Sequence, residues 1–294
     1  MVDWTQTRYT RRTTLDGLDA LQVHHPGFEA ALALQGAHLV HFAPTGDNNW
    51  LWMSPTARFQ PGVAIRGGIP VCWPWFGDPD RNPDTVKERI QTGTAHGFAR
   101  TAQWSVDAIE ESGGQVVIIL ALDANAGFPW TGQARASLTI RFRPDALSLQ
   151  LTTHHTGQES LTITQALHTY LPTDNIGATQ VYGFDHCHYL DTLDSWQRKS
   201  QTGRINFDGE TDRIYQGAPD LDIHSPPHRY RLTAKGSQST VVWNPGPEKA
   251  GRLSDFPDDA WTGMLCVETA NAADDGRQVA PGTSHVLSMT LARN

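Results

Sequence analysis

From Ala136 to Phe142 the side chains alternate without a slip. Leu138, Ile140 and Phe142 fall on one side, and Ser137, Thr139 and Arg141 on the other. After the turn signal Arg143-Pro144-Asp145 the pattern resumes from Ala146 to Thr153, with Leu147, Leu149 and Leu151 set against Ser148, Gln150 and Thr152. A β-strand points successive side chains to opposite faces, so period-two alternation puts one face on a core and the other in water. A helix would scatter the same residues around its circumference. Two such runs joined by a short turn read as half-buried antiparallel strands.

Similar segments occur at Phe28–Leu34, His38–Ala43, Trp104–Ile109, Gln115–Leu122, Leu161–Tyr170, Arg229–Ala234, Thr240–Asn244, Gly263–Glu268 and Ser284–Leu291. Turns such as Ser112-Gly113-Gly114 and Lys235-Gly236-Ser237 punctuate them, and convincing amphipathic helices are missing. Many strands with almost no helix predict an all-β chain, a large antiparallel β-sandwich or a closed barrel. No repeat at fixed period is visible, which argues against a propeller or solenoid. No Ser/Gly/Pro-rich linker divides the chain, so residues 1–294 are expected to form a single domain. The longest irregular region, Pro70 to Arg89, is rich in Pro, Asp and Trp and reads as a functional loop.

Charge and cysteine usage narrow the function classes. The net charge of −8 argues against nucleic-acid or anionic-membrane partners, which need a basic surface. It leaves room for a phosphorylated substrate, because a few arginines focused in one pocket can oppose the global field. Cys72, Cys187 and Cys266 lie among apolar neighbours without CxxC spacing, which predicts buried thiols in a reducing compartment and neither a disulfide framework nor a zinc motif. Met1-Val2-Asp3-Trp4-Thr5-Gln6 is not a secretory signal and no stretch has the length of a membrane span, so the expected setting is the cytoplasm. The 10 tryptophans have two uses, core packing and platforms for sugar rings, and composition does not separate them.

Two residues far apart in sequence carry the chemistry. His168 lies in Gln165-Ala166-Leu167-His168-Thr169-Tyr170-Leu171, and Glu268 in Leu265-Cys266-Val267-Glu268-Thr269-Ala270-Asn271, each expected at the end of a β-like segment. In a regular strand the odd residues Leu161, Ile163 and Leu167 face the core, which puts His168 on the opposite face. The same parity sets Glu268 opposite Leu265 and Val267. A histidine acid facing a carboxylate base is the minimum equipment for moving a proton onto one oxygen and off another. The bland alternative is two side chains satisfied by local hydrogen bonds, although a glutamate ending an apolar run is not where solvation is expected.

Three further segments stand out. Arg66 precedes Gly67-Gly68, and His96 and Arg100 sit in Gly93-Thr94-Ala95-His96-Gly97-Phe98-Ala99-Arg100, where small residues allow close approach to a ligand. Arginine is suited to a bidentate grip on phosphate, against the alternative of a surface ion pair. Asp191 is placed either against sugar hydroxyls or in a turn. His186 and His188 form a His-x-His pair on one strand face, but no third ligand has suitable spacing. The stretch Gly246-Pro247-Glu248-Lys249-Ala250-Gly251-Arg252-Leu253 echoes a phosphate loop but lacks its Lys-Ser/Thr end, and no Gly-x-Ser-x-Gly elbow is present.

The set Arg66-Gly67-Gly68-Ile69-Pro70, Trp73-Pro74-Trp75-Phe76-Gly77, His96-Gly97-Phe98-Ala99-Arg100, Leu167-His168-Thr169-Tyr170, Tyr189-Leu190-Asp191, Trp243-Asn244-Pro245 and Cys266-Val267-Glu268 resembles the glucose-6-phosphate 1-epimerases, the hexose-6-phosphate mutarotase branch of the aldose 1-epimerase superfamily. The resemblance runs from about Gln35 to the C-terminus. It implies a galactose-mutarotase-type β-sandwich with its site on a concave sheet face, no metal and no organic cofactor. It implies His168 as general acid and Glu268 as general base. His96 and Asp191 would hold sugar hydroxyls and ring oxygen. Arg66 and Arg100 would face the phosphate, with Gln91 a further candidate. The expected partner is a hexose 6-phosphate and the expected state a monomer. Unperturbed, His titrates at about 6.5 and Glu at about 4.3, and their mutual attraction is expected to raise the first and lower the second. The competing readings are a non-catalytic sugar-phosphate-binding or sensing protein on the same sandwich and a mutarotase of free aldoses. A glycosidase would need two carboxylates flanking the bond.

Overall fold

The computed structural model describes residues 6–293, so most of the N-terminal run Met1-Val2-Asp3-Trp4-Thr5-Gln6 lies outside the described residues. Two large antiparallel sheets form the body. The nine-stranded sheet runs Ile205–Asn206, Gln180–Tyr182, Leu221–Ser225, His228–Lys235, Ser284–Arg293, Ala146–His155, Ala134–Arg143, Gln115–Asp123, Ser105–Ser112 in spatial order. The second sheet runs Gln197–Ser200, His188–Asp191, Thr211–Gln216, Ser239–Asn244, Met264–Asn271, Gln165–Leu167, Val71–Cys72, with Tyr170–Pro172 also paired to Met264–Asn271. A four-stranded meander from Thr10–Leu15 to His38–Pro44 stands beside them. Of the sandwich and the closed barrel that the alternation left open, the large antiparallel β-sandwich, which the resemblance implied, is the observed fold class.

The alternation fixes the register of the long sheet. Leu138 lies opposite Leu120 and Leu151, and Ile140 opposite Ile118 and Leu149, so their buried side chains form continuous rows. Those rows meet Leu167, Leu265 and Val267 of the second sheet in one core. Burying each such side chain contributes about 1.5–3 kcal/mol. The opposite face of the second sheet carries a second apolar cluster containing Ala166, Tyr170, Ile214, Val241, Trp243, Cys266 and Ala270. That outer face positions the site. Trp50, Trp73, Trp75 and Trp104 are fully buried, whereas Trp243 and Trp196 border a cavity.

The structure departs from the sequence reading at several places. Leu161–Tyr170 is three short strands, Leu161–Ile163, Gln165–Leu167 and Tyr170–Pro172. It breaks where the 70–82 loop docks. The Thr164 amide donates to Pro74 O at 3.2 Å and the His168 amide to Pro70 O at 3.0 Å. Glu268 is not at a strand end but inside Met264–Asn271, every residue of which is buried. The strands Leu18–His25, Thr211–Gln216 and Leu221–Ser225 were not among the expected segments. His186 and His188 do not share a strand face. His186 sits exposed in a left-handed turn at φ 63°, ahead of the strand His188–Asp191. Within Pro70 to Arg89 the chain forms the strand Val71–Cys72, the 3-10 turn Pro79–Arg81 and the short helix Asp84–Lys87. No helix among the described residues is long and apolar enough to cross a membrane.

Candidate active site

Sheet register brings together residues that are remote in sequence. Asp212 lies opposite Trp243, which lies opposite Cys266, which lies opposite Tyr170. In the next row of that face, Ile214 lies opposite Val241 and Val241 opposite Glu268. These rows floor a cavity of about 310 Å³, and His168 enters it from the bend between Gln165–Leu167 and Tyr170–Pro172. The parity argument for His168 and Glu268 therefore holds: both lie on the face away from the main core, with Ala166, Tyr170, Cys266 and Ala270. Loop residues Phe76, Gly77, Asp78, Arg81 and Asn82 form one wall.

At the floor, His168 Nε2 is 3.3 Å from Glu268 Oε1. The glutamate side chain is 1% exposed and the histidine side chain 11%. The His168 ring stacks on Tyr170, with centroids 4.8 Å apart and planes 10° from parallel, and meets His96 and Trp243 edge-on. Burial pushes the Glu268 carboxyl well above its ordinary range, and the nearby Asp212 adds to the rise. Burial likewise drives His168 well below its ordinary value, with His96, Arg100 and Arg66 opposing further charge. The expected raising of His and lowering of Glu is thus reversed, because desolvation outweighs the attraction between the two. The neutral pair (His with GluH) and the ion pair (HisH⁺ with Glu⁻) hold the same single proton. A depressed His and an elevated Glu widen the pH range over which that one-proton state persists. Glu268 Oε2 and His168 Nδ1 are buried without hydrogen-bond partners among the described residues.

His96 is fixed by its backbone. It adopts φ 70°, with its amide on Gly77 O at 2.9 Å and its Nδ1 accepting from the Gly77 amide at 3.4 Å. Its value is depressed to about 3, first by burial and then by Arg100 and Arg66. A neutral ring accepting at Nδ1 carries its proton on Nε2, so it offers a donor. Gly97 allows this turn to press on the chain: at φ 69°, a Cβ there would lie 2.1 Å from Trp73 O. Arg66 borders the cavity, donates to Asp255 Oδ1 at 3.3 Å and to the Tyr170 hydroxyl at 3.4 Å. Burial opposes its charge, but Tyr170 and Asp255 outweigh it and raise its pKa.

Not every residue singled out in the sequence reaches the cavity. Arg100 lies behind it, donating Nη2 to Ala95 O at 2.8 Å and so bracing the His96 turn. Asp191 ends its strand paired to Lys199 at 2.8 Å and accepts from the Leu193 amide at 3.2 Å, the turn role rather than the sugar-facing one. Gln91 is exposed and borders a separate shallow groove with Pro79, Lys87 and Thr92. Conversely, Asp212, Lys249, Trp243, Trp196, Tyr170 and Arg81 line the cavity without having been singled out for it. Lys249 lies 3.1 Å from Glu210 and 3.5 Å from Asp212. Burial raises the Asp212 carboxyl, with Lys249 opposing the rise. The local signal for Asp212 was its two-residue spacing from Ile214, on one face of an unrecognised strand. His168, Cys266 and Glu268 present ligand-type atoms within 4.8 Å of one another. Burial holds the Cys266 thiol far above its ordinary value, which disfavours the thiolate that a metal would bind.

Known proteins resemble this chain in sequence and in fold. The family description "Aldose 1-epimerase" matches residues 19–292. An Escherichia coli (strain K12) protein named "Putative glucose-6-phosphate 1-epimerase" is 33% identical over 280 residues, covering 94% of this chain and 90% of the relative. A Salmonella typhimurium protein of the same name is 32% identical over 89% of this chain and 86% of its own length. Among solved structures, a "putative mutarotase (YeaD) from Salmonella typhimurium" superposes with TM-score 0.87 at 29% identity, covering 98% of this chain and 95% of that one. The chain belongs to the aldose 1-epimerase family, an enzyme family of sugar-anomer isomerases.

Proposed function

We propose that the protein interconverts the α and β anomers of a D-hexose 6-phosphate, with glucose 6-phosphate the expected substrate. The observation that carries this reading is the buried His168–Glu268 pair, 3.3 Å apart on the floor of a cavity bordered by Arg66. The names of the relatives support the phosphorylated sugar.

In this reading Glu268, as carboxylate, takes the proton from the C1 hydroxyl while His168, protonated, gives one to the ring oxygen. The bond between C1 and the ring oxygen breaks and an open-chain aldehyde forms. Rotation about C1–C2 presents the other carbonyl face, and reclosure reverses both transfers. No net proton is exchanged with solvent. Burial favours the neutral pair, which is the form the enzyme holds while the aldehyde exists; the reacting ion pair is reached from the resting neutral pair by moving the shared proton from Glu268 to His168 within the site. Each positioned proton-transfer group typically contributes about 10²–10⁴-fold. His96 and Asp212 are assigned to the sugar hydroxyls, Arg66 to the phosphate end, and Arg100 to the electrostatic field behind His96.

The test is anomer exchange followed by NMR saturation transfer on glucose 6-phosphate, with free glucose and galactose as controls. Acceleration of the phosphorylated sugar over the free ones is expected. Equal acceleration of all three would keep the chemistry and discard the phosphate. No acceleration by folded protein would leave a binding protein.

A further inference from the structure

Three cations border the cavity: Arg66, Arg81 and Lys249. Two are already engaged. Arg66 is held by Asp255 and Tyr170, and Lys249 by Glu210 and Asp212. Arg81 makes no ion pair with any described residue. Its guanidinium instead lies over the Trp196 ring, 5.4 Å from the centroid. Both arms of that contact are anchored. On one side, Asn82 Nδ2 donates to Phe76 O at 2.9 Å and Asp78 O at 2.8 Å, and Thr164 Oγ1 binds both the Asn82 side chain and the Phe76 amide. On the other, Ser195 and Trp196 adopt successive left-handed conformations at φ 52° and 62°. Lys199 clamps that turn through Asp191 and Asp194, each at 2.8 Å. Two consecutive non-glycine residues at positive φ persist only where the surroundings hold them. Asp191, which does not reach the cavity, thus helps to set Trp196 over its mouth.

A guanidinium held over an indole by a cation–π contact has its N–H donors uncommitted to a carboxylate, so they can grip a phosphate. Resting on the proposed hexose 6-phosphate reading, we infer that Arg81, held on Trp196 at the cavity mouth, is the specificity-determining residue that grips the phosphate. Arg66, committed to Asp255, acts mainly as a fixed positive wall. The contact with Trp196 pre-orients Arg81, so less rotamer freedom is lost when the phosphate arrives.

The experiment compares wild type with Arg81→Met and Arg81→Lys by saturation-transfer exchange of glucose 6-phosphate and of free glucose over a range of concentrations. Arg81 is exposed, so neither substitution threatens folding. Arg81→Met should raise KM for glucose 6-phosphate by about 10–100-fold, the range of a lost charge-assisted contact. Its kcat should stay within about twofold and its action on free glucose should not change. Arg81→Lys should recover part of the loss, because it keeps the charge without the planar fork. An unchanged KM for glucose 6-phosphate in Arg81→Met, or an equal loss for both sugars, overturns the assignment while leaving the reaction standing. Wild type without preference for the phosphorylated sugar would overturn both, and that result is read before any variant is made.

Discussion

His38 ties the stability of the site to pH. It is fully buried beneath the Arg66-Gly67-Gly68 turn, with Nε2 2.7 Å from Gly67 O. That carbonyl is an acceptor, so the neutral ring donates Nε2–H to it. The turn is pressed so closely that a Cβ on Gly68 would lie 2.2 Å from Leu39 O and 3.0 Å from His38 Nε2. Burial depresses His38 from 6.5 to about 4, against the bond to Gly67 and with help from the charge of Arg100. The unfolded chain therefore takes up this proton first. Stability is intact above about pH 6.5 and is lost as pH falls toward about 4. At about pH 5 the unfolded histidine is almost wholly protonated and the folded one only about a tenth, which costs about 2 kcal/mol relative to neutrality.

The assay is urea unfolding of wild type and His38→Gln at about pH 7 and about pH 5. Glutamine keeps an amide donor for Gly67 O and cannot titrate. Any constant cost of the substitution, and the contribution of the other titrating groups, cancels in the difference between the two pH values. Wild type should lose about 2 kcal/mol more than His38→Gln on acidification. Equal losses in the two proteins would refute the reasoning, since they would mean that His38 keeps an ordinary value in the folded state.

Other outcomes follow from the cavity itself. His168→Asn and Glu268→Gln should each lower turnover by at least about 100-fold, with unfolding midpoints close to wild type; near-normal turnover in either removes that residue from the mechanism. The pH profile of kcat should be flat through neutrality, with its acid limb well below 6.5, from the lowered His168, and its alkaline limb well above 4.5, from the raised Glu268. A profile peaking between those two ordinary values would mean that the pair is solvated. Arg66→Ala leaves the buried Asp255 carboxylate without its partner and should cost about 3 kcal/mol in urea unfolding. Adding Asp255→Asn should restore part of that loss, and full additivity of the two substitutions would show that they do not interact.

The sequence made the fold class legible because alternation is a local property, and Leu138, Ile140 and Phe142 declare their face without any knowledge of their partners. The same locality placed His168 and Glu268 on the outer face of their sheet. It did not reveal that Asp212 stands opposite Trp243 or that Val241 stands opposite Glu268, because register between distant strands is set by the assembled sheet. Asp191 and Asp212 look alike in sequence, each an acid beside apolar strand residues. Only the pairing of Asp191 with Lys199 and the opening of Asp212 onto the cavity tell them apart. Gln91 was a candidate only through the family resemblance, and the loop carries it to another groove.

The electrostatic expectation failed for a related reason. Two opposite charges considered in isolation stabilise each other, and the sequence offers nothing against which to weigh that attraction. The fold supplies the opposing quantity. It seals Glu268 among buried residues of Met264–Asn271 and stacks His168 on Tyr170, so that each group pays more in lost hydration than it recovers from its partner. For a structural ion pair that would be a defect. For a pair that must pass a proton to a sugar and take another back, it sets the neutral form, held at rest and while the aldehyde exists, below the ion pair that reacts. The same burial that makes the resting pair weak as a salt bridge makes it responsive to a hydroxyl and a ring oxygen arriving in the cavity, where Glu268 Oε2 has no other partner among the described residues.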